Sequence, residues 1–168
     1  MTISPDFLIE KFRMHRHPEG GYYTETYRSA EAIAHAALPE RFVGDRSMCT
    51  AIYFLLVGDE FSSFHRIAAD EIWHSYSGAP VEVVMIDQEG VATTVMVGQD
   101  IAAGEHPQFM VPAGTWFASR CADPNGFSFV GCTVAPGFDF ADFELAKKAD
   151  LMSRFPQHAA LISRFTRS

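Results

Sequence analysis

The most informative part of the chain is the run GDEFSSFHRIAADEIWHSYSG, which spans residues 58–78. It contains two segments, residues 62–68 and 71–77, whose aromatic and β-branched side chains predict two short strands. The first segment contains His65 and the second contains Glu71, and both side chains are capable of acid–base chemistry. The run therefore predicts a pair of strands that holds an imidazole and a carboxyl.

Similar short runs extend from residue 21 to residue 134 and are separated by turns rich in glycine and proline. Nine such runs predict an all-β fold, and they are too many for one flat sheet. We expect hairpin turns at residues 87–90 and 123–126, each with a glycine at positive φ. Residues 29–46 fit neither a helical nor a strand period and are predicted to be mostly irregular. The predicted strands cover residues 21–28, 48–57, 62–68, 71–77, 81–86, 91–97, 108–111, 116–121 and 127–134.

Helices are predicted at both ends of the chain. Ser4, followed by Pro5, favours the start of a short helix that we expect to end near Met14. After residue 136 the apolar residues return to a helical spacing. The 168 residues suit one domain. We divide it into an N-terminal helix and turn (1–20), a β-barrel (21–135) and a C-terminal helical segment (136–168).

Composition and charge narrow the possible partners. The formal net charge is -8, and the 13 Lys and Arg residues are scattered, so neither nucleic acid nor a membrane is an expected partner. Three cysteines without paired spacing suit a reducing compartment. We find no leader pattern and no apolar run of membrane-spanning length. The sequence therefore predicts a soluble, cytoplasmic protein.

The run at residues 58–78 resembles the first cupin motif, in which two His, a Glu and flanking Gly recur at set spacings. His65 and Glu71 fall where that motif places its first His and its Glu, and a closing glycine follows. Ile67 occupies the position of the second His. The resemblance therefore implies a cupin barrel with an altered ligand set.

The run GEHPQFMVPAGTWF, residues 104–117, resembles the second cupin motif, which ends with the last metal-ligating His. Phe117 stands at that position. A transition metal needs three or four converging donors, and the two motifs supply only His65 and Glu71. We therefore predict no cofactor, and keep a divalent metal held by these two residues as an alternative.

A resemblance that covers nearly the whole chain is carried by four ordered motifs. They are HPEGGYYTETYRS at residues 17–29, HRIAADEIWH at 65–74, VPAGTWF at 111–117 and VAPGFDF at 134–140. Together they resemble the cupin subfamily of unknown function DUF985, also called cupin type 5. That resemblance implies an all-β double-stranded β-helix, a jelly-roll barrel, that forms a homodimer. It also implies a shape similar to the metal-free sugar-nucleotide epimerases, without an assigned reaction.

A small polar or carbohydrate-like molecule is the expected ligand of the barrel. In a metal-free site His65 is predicted to act as a base and Glu71 to orient it, which suits an isomerase or epimerase. Strand alternation predicts that Ser63 shares the face of His65. Trp73 and Phe117 are predicted to face the interior, where they either fill space or form a stacking wall.

Abstraction of a proton next to a carbonyl also needs a group that stabilises the developing enolate oxygen. Four side chains are candidates for this role if they reach the pocket: Arg66, Arg28, Tyr22 and Gln108.

Three alternatives stay open. His65 and Glu71 could merely satisfy each other inside the barrel, the pocket could bind or sense a ligand without chemistry, or a reduced ligand set could hold a metal. For residues 17–28 we favour a structural or dimer-forming turn and edge strand, in which Glu19, Glu25 and Arg28 could be surface charges. Solvated or turn positions are expected for the five histidines without ligand spacing: His15, His17, His35, His106 and His158.

Overall fold

The computed structural model describes residues 3–167. Helix α1, Pro5–Phe12, begins after Ser4, whose Oγ accepts a hydrogen bond of 3.2 Å from the backbone N of Phe7. Arg13 ends the helix in the left-handed region at φ 50°. The predicted helix is therefore confirmed, and its last residue lies just before Met14.

All nine predicted strands are present, with ends within two residues of the expected bounds. Four further strands of two residues each complete the set. In chain order the strands are β1 His15–Arg16, β2 Tyr22–Arg28, β3 Ala32–Ile33, β4 Arg46–Ser47, β5 Thr50–Val57, β6 Phe61–Arg66, β7 Asp70–Gly78, β8 Val81–Ile86, β9 Ala92–Val97, β10 Gln108–Val111, β11 Trp116–Cys121, β12 Phe127–Ala135 and β13 Glu144–Leu145.

Two antiparallel sheets form the barrel. One has the order β1-β2-β5-β12-β7-β10 and the other has the order β13-β6-β11-β8-β9, while β3 and β4 pair separately. Phe54 and Trp73 of the first sheet pack in one buried cluster with Val83 and Phe117 of the second. The predicted jelly-roll barrel is therefore confirmed.

Apolar side chains fill the barrel on the side away from the cavity. Along β7, Glu71 faces a cavity while Trp73 belongs to the buried cluster, and along β12 Val134 faces the cavity while Val130 belongs to the cluster. The cavity therefore lies at the end of the barrel where β7 begins and β12 ends.

The two predicted hairpins had different outcomes. Residues 87–90 join β8 to β9 in a hairpin, with Gly90 at φ 82°. The prediction for residues 123–126 is wrong, because β11 and β12 lie in different sheets and Gly126 does not adopt a positive φ. Turn residues show where the chain reverses, whereas the pairing of the flanking strands depends on the rest of the barrel.

The irregular segment 29–46 carries strand β3, a short 3₁₀ turn and the first residue of β4, and is otherwise without regular structure, as expected. Its Phe42 is buried against Ile67 and Val134, so the segment covers one side of the barrel. Arg46 forms a buried ion pair with Asp142, with a distance of 2.5 Å between Nη2 and Oδ1. The segment is thereby joined to the loop that follows β12.

Helices α2, Lys148–Arg154, and α3, Ala159–Arg164, follow the barrel. Leu151 and Ile162 pack in a cluster with Val84 and Trp116, on the second sheet. The prediction that the chain ends in helices packed outside the barrel is confirmed. Within residues 3–167, no helix combines the length and apolar character needed to span a membrane.

Candidate functional site

The open end of the barrel forms a cavity of about 570 Å³. Its lining combines titratable groups with an aromatic wall, which is the composition of a small-molecule site. The lining residues are His15, His17, Glu19, Tyr23, Thr24, Glu25, Arg28, Thr50, Ile52, His65, Ile67, Glu71, Cys132, Val134, Phe138, Asp139, Phe140 and Phe143.

His65, on β6, has only 2% of its surface exposed. Its Nδ1 lies 2.8 Å from the carbonyl oxygen of Ser63. A carbonyl only accepts hydrogen bonds, so Nδ1 carries the proton and Nε2 keeps a lone pair in the neutral ring. Burial lowers the pKa of His65 to about 3, which keeps the ring neutral at physiological pH.

The direct partner of His65 is Glu19, whose Oε2 lies 3.0 Å from Nε2. Ser62 donates a hydrogen bond of 2.9 Å to the other oxygen, Oε1. Burial raises the pKa of Glu19 well above its usual range. Since Nε2 of a neutral His65 can only accept, Oε2 of Glu19 carries the proton between them. We call these two residues the Glu19–His65 pair.

His17 lies on the other side of Glu19, with its Nδ1 3.3 Å from Oε2. The backbone N–H of Glu19 donates to the same Nδ1 over 3.3 Å, so this nitrogen is an acceptor. Burial lowers the pKa of His17 to about 4. Glu19 is thus placed between two neutral imidazoles.

Glu71, on β7, is a second buried carboxyl in the cavity. Burial raises its pKa to about 7, and its hydrogen bond with the thiol of Cys132 acts in the opposite direction. Repulsion from Glu71 also contributes to the raised pKa of Glu19. The cavity therefore contains two buried carboxyls with raised pKa values, Glu71 with a pKa of about 7 and Glu19 with the proton that its contact with His65 requires.

A glycine turn brings Glu19 into the barrel. Gly20, at φ 116°, and Gly21, at φ 75°, let the chain reverse between His17 and β2. A Cβ on Gly20 would overlap the carbonyl oxygen of Phe61 and the guanidinium of Arg167. The backbone N of Ser63 donates to the carbonyl of Glu19 over 2.8 Å, which joins the turn to β6.

Arg167, near the C-terminus, stabilises the same turn through hydrogen bonds. Its guanidinium donates hydrogen bonds to the carbonyl of Glu19, to Oγ of Ser63 and to the carbonyl of Phe61. Its Cζ also lies 4.3 Å from the ring centre of Phe61, which is a cation–π contact. The last residues of the chain thus support the position of Glu19.

The mouth of the cavity is aromatic. Phe138 and Phe140 lie edge to face with 4.9 Å between ring centres, and Phe143 packs 5.9 Å from Phe140. Tyr23 contacts His17 edge to face at 4.7 Å. The ion pair of Arg46 described above anchors this aromatic loop through Asp142.

Three predicted site residues line the cavity: His65, Glu71 and Arg28. The prediction that Glu71 orients His65 is wrong in its pairing, because the hydrogen-bond partners of the ring are Ser63 and Glu19.

The prediction that Ser63 lines the pocket is also wrong, because its hydroxyl accepts a hydrogen bond from Arg167 and does not line the cavity. On β11, Phe117 pairs with His65 but Ser119 pairs with Ser62, so β6 contains one extra residue. This bulge changes the alternation, and Ser62 rather than Ser63 contacts the side chain of Glu19.

Five other predicted pocket residues lie outside the cavity lining. Trp73 and Phe117 are buried in the apolar cluster, where they fill space, and the ring of Phe117 packs 4.0 Å from that of His65. Arg66 is paired with Glu144 and lies over Trp116. Tyr22 lies beneath Arg16, and Gln108 is exposed on the edge strand β10.

Glu19 and His17 are the site residues that sequence reasoning misses. The sequence favours a surface charge for Glu19 and a solvated or turn position for His17, yet both side chains are more than nine-tenths buried. A usable signal is present, since Glu19 directly precedes two glycines inside the motif HPEGG. A glycine pair permits a close approach of the backbone, which can carry a neighbouring side chain into a pocket.

A two-sheet antiparallel barrel with a titratable cavity at one end defines this chain as a cupin-type protein. More narrowly, the chain belongs to the family described as Cupin superfamily (DUF985), which matches residues 6–146. It is 31% identical to the uncharacterized protein YML079W of Saccharomyces cerevisiae over 165 residues, covering 91% of this chain and 81% of the yeast protein.

Solved structures agree with this family. Protein SO0799 from Shewanella oneidensis superposes with a TM-score of 0.89 at 41% identity, covering 99% of both chains. A hypothetical protein from Leishmania major superposes with a TM-score of 0.88 at 35% identity, and the match covers 99% of this chain and 100% of that chain. Oxalate decarboxylase from Bacillus subtilis gives 0.56 at 16% identity, covering 92% of this chain and 38% of the decarboxylase, which shows a shared fold.

The decarboxylase has Mn(II) centres, which raises the question of whether this cavity could hold a metal. Ile67 and Phe117 place hydrocarbon at two ligand positions of the cupin motifs. Both ring nitrogens of His65 are already hydrogen-bonded. Among residues 3–167, no group of three His, Cys, Asp or Glu side chains is arranged to hold a metal ion. The donor set does not fit the metal site of the motifs.

Proposed function

We propose that the chain is a metal-independent isomerase or epimerase that acts on a small, polar, carbonyl-bearing molecule bound in the cavity. The observation that carries this proposal is the hydrogen bond between Glu19 and His65, on the same cavity as the second buried carboxyl, Glu71. Exchange of a proton at carbon needs one group that accepts a proton and one that donates it. Two carboxyls whose environments separate their pKa values provide such a division of roles.

Glu71 is the proposed base. With a pKa of about 7, a substantial fraction of Glu71 is ionised at neutral pH. Its carboxylate would take the proton from the carbon next to a carbonyl, and the electron pair of the broken C–H bond would move to the carbonyl oxygen as an enolate.

The Glu19–His65 pair is the proposed acid. Glu19 would return its proton to carbon, and the electron pair of the enolate would form the new C–H bond. Return of the proton to the opposite face inverts the carbon and gives epimerisation. If the hydroxyl on that carbon passes its proton to the enolate oxygen, return of the proton to the former carbonyl carbon leaves the carbonyl on the neighbouring carbon and gives isomerisation. His65, with a lone pair directed at Glu19, acts as the positioning residue that keeps this proton on Oε2.

Deuterium exchange tests this proposal even when the product is unidentified. The protein is incubated in D₂O with a panel of aldoses, ketoses and hydroxy-ketones, and incorporation at carbon is followed by mass spectrometry and ¹H NMR. We expect native protein to exchange one C–H of at least one compound, and Glu71→Gln to slow the exchange by about 100-fold or more. Glu89→Gln, in an exposed turn, is the matched control and should keep the native rate.

A binding or sensor module without chemistry is the competing function. In that case a compound would raise the melting temperature of the protein but would gain no deuterium after prolonged incubation. Native-rate exchange in Glu71→Gln would also refute the proposed roles.

A further inference from the structure

The charges around the cavity are unevenly distributed. Four carboxyl side chains line it: Glu19, Glu25, Glu71 and Asp139. Arg28 is the one lysine or arginine in the part of the lining that the structure describes. Since the chain as a whole also carries a formal net charge of -8, no general positive field offsets these carboxyls.

The charge of Arg28 is already satisfied. Its Nε lies 3.1 Å from Oε1 of Glu25, its Nη2 lies 2.8 Å from Oε2 of the same carboxylate, and its Nη1 donates to the carbonyl of Phe138 over 3.1 Å. The carboxylate of Asp139 acts on the same guanidinium. A phosphate at this position would have to displace Glu25 and would then face the charge of Asp139.

The remaining surface at the mouth suits a ring that carries C–H groups. Phe138, Phe140 and Phe143 present their faces and edges to one another, and the ring of Tyr23 stands near the same opening. Phe140 is 50% exposed, so part of this apolar wall is accessible from solvent. Rings of this kind favour the C–H face of a sugar, whose hydroxyls can then reach polar groups deeper in the cavity.

We infer that the cavity takes an uncharged sugar and rejects the corresponding sugar phosphate. This inference rests on the proposed function for the location of the site, and it adds the charge of the substrate. It separates this protein from enzymes that hold the phosphate of a sugar or nucleotide with free cationic side chains.

Matched pairs test the inference. Binding of D-glucose and glucose 6-phosphate, D-fructose and fructose 6-phosphate, and D-ribose and ribose 5-phosphate is measured by calorimetry at low ionic strength, where charge effects are least screened. We expect the neutral member of at least one pair to bind about tenfold more tightly than its phosphate. Equal or tighter binding of the phosphate in the pair with the highest affinity overturns the inference, and so does the absence of binding by every sugar.

A double variant tests the stated cause. Glu25→Gln with Asp139→Asn should raise the affinity for the phosphate, relative to that for its neutral partner, by about tenfold, since Arg28 is then no longer neutralised. Glu31→Gln with Glu89→Gln removes the same charge at exposed positions outside the cavity and is the matched control. A similar gain in both double variants would attribute the selectivity to net charge and refute the role of Glu25 and Asp139.

The two proposals fail in different ways. Selective binding of a neutral sugar without deuterium exchange refutes the proposed enzyme and supports the inferred ligand. Deuterium exchange into a phosphorylated sugar, with little exchange into its neutral partner, supports the enzyme and refutes the inferred ligand.

Discussion

Nε2 of His65 lies 3.0 Å from Oε2 of Glu19, and both side chains are buried between the sheets. His65 belongs to β6 of one sheet, whereas Glu19 lies in the turn that leads into β2 of the other. The bond therefore joins β6 to the turn that precedes β2, and the position of its proton determines which of the two groups can act as an acid.

The protonation state of His65 is the first prediction. We expect its ring to carry a proton on Nδ1 and none on Nε2 from about pH 8 to about pH 5, because burial lowers its pKa to about 3. Two-bond ¹H–¹⁵N correlation spectra of the ring nitrogens measure this tautomer directly. Spectra of His65→Gln assign the signals, and a titration of His65 centred near its ordinary pKa of 6.5 would contradict the assignment.

The pH dependence of stability is the second prediction, and it concerns Glu71. Its pKa is about 7 in the folded protein and close to 4.5 when unfolded, so the folded state holds the proton more tightly. The stabilisation by this proton is complete below pH 4.5 and is lost as pH rises through 7, which lowers the free energy of unfolding by up to about 3 kcal/mol.

Glu71→Gln isolates this effect from those of His17 and His65, whose lowered pKa values act in the opposite direction below pH 6.5. Urea unfolding at about pH 5 and about pH 8 should show that the variant gains stability relative to the native protein as pH rises. Glu89→Gln should track the native protein at both values. A difference between Glu71→Gln and native that does not change with pH would refute the raised pKa.

The glycine turn beside Glu19 gives a third prediction. Gly20→Ala should lower the free energy of unfolding by at least about 2 kcal/mol, because the residue combines a positive φ with a backbone that touches β6 and Arg167. Gly104→Ala is the matched control, since Gly104 also has a positive φ but has open space around it. Its cost should be limited to about 1 kcal/mol. Equal losses in both variants would show that the close approach at Gly20 is unimportant.

Arg167 supports a fourth prediction. Arg167→Ala should destabilise the protein by roughly 1–3 kcal/mol, because it removes the donor to the carbonyls of Glu19 and Phe61 and to the hydroxyl of Ser63. It should also change the ring-nitrogen shifts of His65, which a purely remote effect would leave unaltered. Arg164→Ala, at an exposed position on α3, is the control. Unchanged His65 signals in Arg167→Ala would refute the support of Glu19 by this residue.

The fifth prediction concerns metal binding, for which the native cavity, within residues 3–167, has too few donor side chains. Elemental analysis of untagged native protein should find less than about 0.1 equivalents of transition metal, whereas Ile67→His with Phe117→His should acquire zinc or manganese, since this variant restores the two missing His of the cupin motifs in addition to His65 and Glu71. The two single variants are the controls and should bind more weakly. A stoichiometric metal in the native protein would contradict the metal-free site.

Much of the barrel follows from local signals. The nine predicted strands and the C-terminal helices depend on side-chain type and on the placement of glycine and proline, and these properties act over a few residues. The motif around His65 and Glu71 also places both side chains on the interior correctly, and both line the cavity. The homodimer and the cytoplasmic location stay predictions.

The failures have a common physical cause. One extra residue in β6 moves Ser63 off the face of His65, and no local feature of FSSFHR marks that bulge. The turn at residues 123–126 looks like a hairpin in sequence but joins two sheets. Both depend on which strand lies opposite, and that is decided by the packing of the whole barrel.

Residue types and their spacing were therefore sufficient for the fold, for the family and for the presence of His65 and Glu71 in one cavity. Only the folded chain revealed that Glu19 is the partner of His65 and that Arg28 is neutralised by Glu25. It also revealed that Trp73 and Phe117 pack in the apolar cluster inside the barrel and do not line the cavity. Strand formation is a short-range property of the backbone and its side chains. The meeting of two buried groups from distant parts of the chain is a long-range property, set by tertiary packing around them.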